Sequence, residues 1–338
     1  MKIIVDAMGG DNAPFEIVKG SLRASRELGL DIVLTGREEE IGACLKQLGC
    51  DGLPGHVSVV NATEVIDMED EPSLAYRRKP DSSMTVGLNL LKNGEGDALV
   101  SAGSTGALLS GATLVVKRIR GVRRAALAPL LPTKTGQVMV IDVGANVECA
   151  TEHLVQFALL GSGYMKGVMN VESPRVGLLN NGTEETKGAP LQVETYPLLK
   201  EMDAQGKIRF IGNVEAKDVM RGVCDVVVCD GYSGNILLKS IEGAAGFIMG
   251  LLKEIMTSSA KNKAAALLLR KDLYGLKDKM SASKVGGTAL LGISKPVVKA
   301  HGSSDAEAFF NAVRQASVVA GSGMIEAVTA QLKNTEEA

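Results

Sequence analysis

Residues 2–11 of the chain are KIIVDAMGGD, an apolar run that ends at an aspartate before a pair of glycines. A short run rich in β-branched residues and bounded by glycine predicts a buried β-strand, here residues 2–6. A helix is expected over 14–28, because Pro14 suits a first helical turn and Gly29 ends the periodic pattern. The chain therefore opens with one strand, one polar loop and one helix.

The same unit recurs along most of the chain. Short apolar runs that alternate with helical periodicity predict βα units and a mainly parallel sheet, which is an α/β fold. The expected strands are residues 2–6, 31–35, 56–60, 98–102, 137–142, 175–180, 207–212 and 225–230. The expected helices are residues 14–28, 38–48, 83–93, 105–118, 152–168, 190–203 and 306–332.

One segment interrupts this alternation and predicts a helical hairpin. Residues 240–284 hold two successive amphipathic stretches, and residues 261–284 contain seven basic and two acidic residues. Such a hairpin can lie on an anionic membrane, form half of a dimeric helix bundle or receive an acidic protein; an ordinary solvated helix pair is the alternative. No linker or repeat divides the chain, so residues 1–335 are expected to form a single catalytic domain.

Charge and cysteine usage exclude several function classes. With 37 basic and 39 acidic residues the net charge is −2, which argues against a global electrostatic grip on nucleic acid. The five cysteines and three histidines show no zinc-site spacing, so reduced thiols and no metal are expected.

Export and membrane insertion are both disfavoured. The N-terminal residues lack the basic flank, long apolar run and cleavage site of a signal peptide. Residues 98–116 are uncharged, but eight of them are Ser, Thr or Gly, which favours a buried strand and a buried helix over a membrane span. A cytoplasmic location is expected.

Five polar, glycine-rich loops follow predicted strands, at residues 6–11, 101–106, 142–146, 180–188 and 230–235. Parallel strands end at one edge of a sheet, so we expect these loops to converge there as a site for phosphate and a polarised carbonyl. The GxGxxG and GxxxxGK[ST] signatures are absent, which disfavours NAD and ATP. No GxSxG elbow or Cys/His pair suggests covalent catalysis.

Two side chains in these loops are candidate catalysts. Lys187 follows a small-residue loop at the expected start of a helix, where a cation and main-chain amides could hold an anion together. A surface lysine is the alternative. Asn235 could donate a hydrogen bond to a developing oxyanion, and a helix cap is its alternative role.

Two further polar segments have simpler roles available. His301 precedes a Ser/Asp cap, and a structural histidine bonded to main chain is favoured over a general acid or base. The basic residues 77–79 precede another stretch that resembles a helix cap. A solvated basic loop is the simpler interpretation of these residues, and attraction of phosphate is the more specific one.

Eight strings in a fixed order span nearly the whole chain and resemble the phosphate acyltransferases (acyl carrier protein:phosphate acyltransferases) of bacterial phospholipid synthesis. They are IIVDAMGGDNAP (3–14), YRRKPDSSM (76–84), SAGSTGALL (101–109), IDVGANVE (141–148), PRVGLLNNGTEETKG (174–188), FIGNVEA (210–216), CDGYSGN (229–235) and VKAHGSSDA (298–306).

The resemblance implies a three-layer α/β/α sandwich with a Rossmann-like sheet, related to the isocitrate and isopropylmalate dehydrogenases, and a homodimer. It also implies direct attack of inorganic phosphate on an acyl carrier protein thioester, with no metal or redox cofactor, and Lys187 and Asn235 as catalytic residues. The family's amphipathic hairpin matches residues 243–283 and is associated with dimerisation and transient membrane contact. A downstream glycerol-3-phosphate acyltransferase is a further expected partner; nucleic acid is not.

The remaining expected site positions come from the same loops. Those expected to bind phosphate or the acyl substrate are Asp6, Gly9, Gly10, Gly103, Ser104, Thr105, Gly106, Asp142, Asn146, Asn180, Gly182, Thr183, Ser233, Gly234 and His301. The cations expected to dock the acidic carrier protein are Arg77, Arg78, Lys79, Lys271 and Lys277.

The chain departs from the family pattern at Ser104, where Asn is common, and at Tyr232 and Ser233, where Phe and Thr are frequent. Two other functions stay open. An NAD-dependent decarboxylating dehydrogenase on the related fold would need a divalent metal, for which Asp225 and Asp230 are available. A non-catalytic membrane-surface scaffold would use the hairpin alone.

Overall fold

The computed structural model describes residues 1–273, 275 and 286–336, and within them twelve strands form two sheets. The first sheet has the order β3-β2-β1-β4-β12-β11-β5 and the second the order β6-β7-β10-β8-β9. The strands of the first are β1 (Lys2–Asp6), β2 (Asp31–Gly36), β3 (Val57–Asn61), β4 (Ala98–Ser101), β5 (Ala126–Ala128), β11 (Thr288–Leu291) and β12 (Val297–Lys299). Those of the second are β6 (Leu130–Pro132), β7 (Gln137–Ile141), β8 (Arg175–Asn180), β9 (Arg209–Glu215) and β10 (Val226–Val228).

Helices connect the strands and cover the sheets. The longer ones in the described residues are α1 (Phe15–Leu28), α2 (Glu38–Gln47), α4 (Ser83–Asn93), α6 (Thr151–Gly167), α7 (Pro190–Ala204), α9 (Gly231–Thr257), α10 (Ala260–Leu268), α11 (Ala306–Gly321) and α12 (Met324–Glu336). The shorter ones are α3 (Ala75–Arg78), α5 (Thr105–Gly111), which a π-helical segment continues over Ala112–Val116, and α8 (Ala216–Val219).

Strand pairing is mainly parallel, as expected. In the first sheet β1 is parallel to β2 and β4, which places Asp6 opposite Thr35 and Ser101. In the second, β10 is parallel to β7 and β8, with Val228 opposite Ile141 and Leu178. Antiparallel pairs join β11 to β12 and to β5, and β6 to β7.

Alternation along the strands explains the layered packing, because successive side chains of a strand point to opposite faces. Ile3 and Val5 of β1 pack in one core cluster with residues of α1 and α11, whereas Ile4 packs in another with residues of α4 and α5. Helices therefore cover both faces of the first sheet, and the expected α/β/α class is confirmed.

The two sheets share part of their core. Val140 and Val227 of the second sheet belong to the same buried cluster as Leu99 of the first sheet and Leu108 of α5. At the junction the Val143 amide donates to the Leu127 carbonyl oxygen over 3.2 Å. A shared core is what a single catalytic domain over residues 1–335 requires, and that assignment stays a prediction.

The eight expected strands all form, but four short ones were not anticipated: β5, β6, β11 and β12. Each has only three or four residues, too few for a clear alternating pattern. The single helix expected over 306–332 is wrong in one respect, because it breaks between α11 and α12, where Gly323 has a φ of +65° that ends a helix. The uncharged segment 98–116 is a buried strand and a helix, as predicted.

The first arm of the expected hairpin is α9, followed by α10. α9 begins at Gly231, so residues 231–235 are its first turns rather than a loop. Phe247 in the outer part of α9 is 67% exposed, and Leu268 at the end of α10 is 86% exposed. Of the 243–283 hairpin, residues 274 and 276–283, including Lys277, lie outside the described residues. By length and composition α9 could cross a membrane, which is weak evidence by itself.

Candidate active site

Asp142 organises the loop that follows β7. Its carboxylate accepts hydrogen bonds from the amides of Leu127 (2.9 Å), Ala145 (3.2 Å) and Asn146 (2.6 Å), and from the Asn146 side chain (3.0 Å). Burial raises the pKa of this carboxyl group, and the hydrogen bonds oppose that shift. With its oxygens occupied, Asp142 shapes the loop rather than reacting.

The start of α9 packs directly on this loop. Asp230 caps the helix by accepting from the Ser233 amide (2.8 Å) and hydroxyl (2.8 Å), and the Gly231 amide donates to the Asn146 carbonyl oxygen (2.8 Å). The cap is thus Asp230 and not Asn235. Asn235 is exposed, and its side-chain amide has no partner among the described residues. It is therefore available to a ligand.

Close packing at Gly234 yields a stability prediction. A Cβ at this position would overlap the Asp142 carbonyl oxygen and lie 2.8 Å from the Cys229 sulfur. We expect Gly234→Ala to lower the free energy of unfolding by about 1–3 kcal/mol in urea melts. Gly243→Ala is the control, since Gly243 lies in the same helix with nothing near its Cβ position. Equal stability of the two variants would contradict this account of the packing.

The loop after β8 presents Lys187. Its main-chain carbonyl oxygen accepts from the Asn180 side chain (2.9 Å), and its amide donates to the Glu184 carbonyl oxygen (3.1 Å). Asn213 of β9 donates to the same Glu184 oxygen (2.8 Å). The backbone is therefore braced, while the Lys187 side chain is exposed and has no ion-pair partner among the residues described.

β8 and β10 are neighbours, so their following segments lie at the same end of the second sheet. Val228 is opposite Leu178, and two residues beyond each of these positions come Asp230 and Asn180. The candidate lysine and the candidate asparagine thus follow adjacent parallel strands. This is the arrangement that a site shared by Lys187 and Asn235 needs.

A second set of contacts surrounds Asp6 at the end of β1. The buried Asp6 carboxylate accepts from the hydroxyls of Ser83 (2.6 Å) and Ser101 (2.6 Å), and Ser101 accepts from the Gly103 amide (3.1 Å). Burial raises the pKa of Asp6. A Cβ on Gly9 would lie 2.7 Å from the Gly103 nitrogen, so the two turns pack backbone to backbone.

The segment after β12 joins this set. The Asp11 amide donates to the Gly302 carbonyl oxygen (2.8 Å), and the Asn12 side chain donates to the Ser303 carbonyl oxygen (3.2 Å). His301 Nδ1 lies 2.9 Å from the Ser303 hydroxyl and 3.3 Å from the Ser303 amide. His301 thus has the local contacts expected of a structural histidine.

The structure therefore assembles two loop groups. The first loop group, at the end of the first sheet, comprises residues 6–11, 101–106 and 300–305; it holds Asp6, Gly9, Gly10, Gly103, Ser104, Thr105, Gly106 and His301. The second loop group, at the end of the second sheet, comprises residues 142–146, 180–188 and 230–235; it holds Asp142, Asn146, Asn180, Gly182, Thr183, Lys187, Ser233, Gly234 and Asn235.

The expectation of a single sheet edge was wrong, because the strands divide between two sheets. Among the described residues no hydrogen bond or ion pair joins the first loop group to the second. A common pocket for both groups stays a prediction.

The candidate docking cations differ in availability. Lys79 is held by Asp70 (2.6 Å), Asp67 (2.9 Å) and a main-chain oxygen, so it braces its own loop. Arg77 and Arg78 on α3 are exposed. Lys271 is exposed too, and Lys277 lies outside the described residues.

Comparison with known proteins shows the family to which this chain belongs. A family model described as "Fatty acid synthesis protein" matches residues 1–327. The phosphate acyltransferase of Geobacillus thermodenitrificans is 48% identical over 337 residues, which cover 99% of this chain and 100% of that protein. The one from Caldanaerobacter subterraneus is 44% identical over 336 residues, covering 99% and 98%. The chain belongs to the phosphate acyltransferase family.

Solved structures support the fold of this family member. A phosphotransacetylase from Streptococcus pyogenes matches with a TM-score of 0.65 at 18% identity, covering 95% of this chain and 94% of that one. A putative 4-hydroxythreonine-4-phosphate dehydrogenase from Salmonella typhimurium matches with a TM-score of 0.53 at 15% identity, covering 94% and 99%. These likenesses concern the fold, and they agree with the expected relation to dehydrogenases.

The dehydrogenase alternative is not favoured for this family member. Asp225 pairs with Arg175 (2.9 Å) and precedes β10, whereas Asp230 follows it. The five residue steps from Asp225 to Asp230, most of them along β10, separate the two residues by about 16 Å, which is too far to hold one metal ion. Among the described residues no group of three or more metal-ligating side chains occurs.

Sequence reasoning missed three polar residues at these loops. Ser83 and Ser101 hold Asp6, and Asn213 braces the loop that presents Lys187. All three lie in or beside the strings that carry the family resemblance. Their hydrogen bonds depend on residues distant in sequence, however, so no local pattern marks them.

Proposed function

We propose that this protein transfers a fatty acyl group from acyl carrier protein to inorganic phosphate, giving acyl phosphate for phospholipid synthesis. The family supplies the reaction class. The structural observation that carries the proposal is that Lys187 and Asn235 follow adjacent parallel strands with side chains that no other described residue engages.

The reaction needs an anion site beside a polarised carbonyl. A phosphate oxygen attacks the thioester carbonyl carbon, and the carbon–sulfur bond then breaks with its electron pair on the pantetheine sulfur. Lys187 holds the phosphate and Asn235 donates to the oxygen of the tetrahedral intermediate. The other residues of the two loop groups shape the pocket around them.

The cysteines near the second loop group are poor candidates for an acyl-enzyme intermediate. Burial raises the pKa of the Cys149 thiol to about 11 and that of Cys229 well above its usual value. Only the thiolate is an effective nucleophile, and at neutral pH both groups are thiols. The protonation of both thiols supports direct attack by phosphate on the thioester.

Arg77 and Arg78 are the exposed cations proposed to dock the acidic carrier protein. We expect the double charge reversal Arg77→Glu/Arg78→Glu to raise KM for acyl carrier protein about 5- to 30-fold at low salt, with KM for phosphate unchanged. Steady-state kinetics at two ionic strengths test this. The control is Lys46→Glu/Lys92→Glu, the same charge change at exposed sites on α2 and α4. Equal effects of both pairs would sink the docking proposal.

The outer part of α9 with α10 is proposed as the surface for homodimer formation and transient membrane contact. Phe247 (67% exposed), Ile248 (56%) and Ile255 (58%) form an apolar surface that few residues of the same chain cover. Large exposed apolar patches mark interaction sites. A cytoplasmic protein with peripheral membrane contact, delivering acyl phosphate to a glycerol-3-phosphate acyltransferase, fits this surface.

The proposed reaction has a direct test. The purified protein is incubated with acyl–acyl carrier protein and labelled inorganic phosphate, and extraction into organic solvent separates any acyl phosphate from free phosphate. We expect labelled acyl phosphate and one free carrier thiol for each product molecule. Cleavage of the thioester without labelled product would contradict transfer to phosphate.

A further inference from the structure

Lys299 is a buried cation in the first loop group. It is the last residue of β12, only 8% exposed, and lies opposite Ser101 of β4. Of the lysines that the structure describes, no other is buried to this extent. A buried ammonium group is costly unless it is well hydrogen-bonded, so its contacts define its role.

The ammonium group joins two segments of the first loop group. Lys299 Nζ donates to the Ala102 carbonyl oxygen over 3.2 Å, and also to the Ala300 carbonyl oxygen. Ala102 lies in segment 101–106 and Ala300 in segment 300–305. The third hydrogen of the ammonium group has no acceptor in the described part of the chain.

Asp6 holds the same turn from the other side, through the Ser101 hydroxyl. The charged groups that face Lys299 are Asp6 and Asp11, and His301 follows it by two residues. Burial lowers the pKa of Lys299 to about 8, although both aspartates act in the opposite direction. Lys299 is therefore charged at neutral pH and becomes neutral in mildly alkaline solution.

Main-chain donors that have no acceptor among the residues described lie within three residues of the two carbonyl groups that Lys299 binds. Within the described residues, the main-chain amides of Ser104, Thr105, His301 and Gly302 have no acceptor. Several N–H groups beside a fixed positive charge suit an oxyanion such as phosphate. Once Lys299 loses its charge, Asp6 and Asp11 are the charged groups that remain beside these amides. Their negative charge then disfavours the binding of phosphate.

We propose that Lys299 is a positioning residue whose buried ammonium group holds residues 101–106 and 300–305 in the arrangement that binds inorganic phosphate. The proposal rests on the acyl transfer to phosphate argued above and on the predicted common pocket of the two loop groups, since it assigns the part of that pocket that receives phosphate. Lys299 acts through the two carbonyl groups and its charge, and Lys187 remains the residue proposed to touch the phosphate.

Calorimetric titration of the full-length protein with inorganic phosphate alone tests the proposal. For the unaltered protein, once the second ionisation of phosphate near pH 7 is allowed for, we expect the dissociation constant to rise about twofold from pH 7 to 8 and then toward about tenfold for each further pH unit as Lys299 loses its proton. We expect Lys299→Met to weaken phosphate binding about 10- to 100-fold at pH 7 and to remove the rise above pH 8. Its KM for acyl carrier protein should stay within about twofold.

Lys295→Met is the matched control. Lys295 precedes the same strand, is partly buried and donates to the Leu91 carbonyl oxygen over 2.8 Å, but it lies at the opposite end of β12. We expect it to bind phosphate like the unaltered protein.

Two results would overturn the inference: phosphate affinity of Lys299→Met equal to that of Lys295→Met, or a flat pH profile of the unaltered protein. The second needs no variant, so it holds even if Lys299→Met fails to fold. Phosphate binding that depends on Lys299 in a protein making no acyl phosphate would support the inference and contradict the proposed function. Normal acyl phosphate formation with an unchanged KM for phosphate in Lys299→Met would do the reverse.

Discussion

Lys187→Ala is expected to lower kcat/KM for phosphate by about 10²- to 10³-fold, the loss typical of one preorganised group at a developing charge. The side chain is exposed and has no ion-pair partner among the described residues, and the loop backbone is held by Asn180 and Asn213 instead. Stability should therefore change by less than about 0.5 kcal/mol. Acyl phosphate formation and urea melts on the same preparation measure both quantities.

Lys200→Ala is the control for Lys187. Lys200 is an exposed lysine on the helix that follows the same loop, and it pairs with Glu185 at 2.9 Å. Its loss removes one positive charge from the neighbourhood without touching the proposed phosphate position. If both variants lost the same activity, Lys187 would act only through general electrostatics; an unchanged rate in Lys187→Ala would remove it from the mechanism.

Asn235→Ala is expected to lower kcat by about 10²- to 10³-fold, which corresponds to about 3–4 kcal/mol for a lost oxyanion donor. Because such a donor acts in the transition state, KM for phosphate should change little. Asp230 caps α9 through Ser233, so the helix start should survive the substitution. Steady-state kinetics and circular dichroism check the two statements.

The Asn235→Asp variant tests whether hydrogen-bond donation by residue 235, and not the shape of its side chain, is what the reaction needs. The aspartate side chain has nearly the same shape but cannot donate when ionised, so its kcat should fall at least as far as that of the alanine variant. A variant that kept full activity would show that Asn235 donates no essential hydrogen bond. An Asn235→Ala variant as active as the unaltered protein would show the same.

Much of the fold could be predicted because its signals are local. KIIVD, DIVLT and DVVVCD are continuous apolar runs of the kind that a parallel sheet buries on both faces, and all three form strands. The helix after the first loop ends at Gly29, which has a φ of +63°, a conformation that glycine adopts without strain. Local patterns therefore sufficed for α/β class and strand positions.

The division into two sheets could not be predicted in this way. It depends on β5, β6, β11 and β12, which have only three or four residues each. β5 pairs with the distant β11, and β12 pairs with the distant β4. Thr288 opposite Lys299 is a local hairpin pair, but Leu290 opposite Leu127 joins segments that lie nearly half the chain apart. Such pairings are set by tertiary packing, which no local window contains.

The candidate site shows the same limit. The pattern of a glycine-rich loop after a strand identified Lys187 and Asn235 as candidates, because the chemistry of these two residues follows from their type and position. No sequence pattern singled out Lys299, since VVKAH reads as a strand that contains one lysine. The burial of Lys299 is evident only from the structure. Asn213 was missed for the same reason, because its bond to the Glu184 carbonyl oxygen spans 29 residues.

The proposed acyl transfer requires Lys187 and Asn235 to act on one phosphate and one thioester in the same pocket. A crystal structure with inorganic phosphate and a stable analogue of acyl-pantetheine, in which an amide replaces the thioester, measures this directly. We predict that Lys187 Nζ lies within hydrogen-bond distance of a phosphate oxygen while Asn235 Nδ2 lies within the same distance of the analogue's carbonyl oxygen, in one pocket. Phosphate and analogue bound at separate places, or one pocket that neither side chain reaches, would contradict the account.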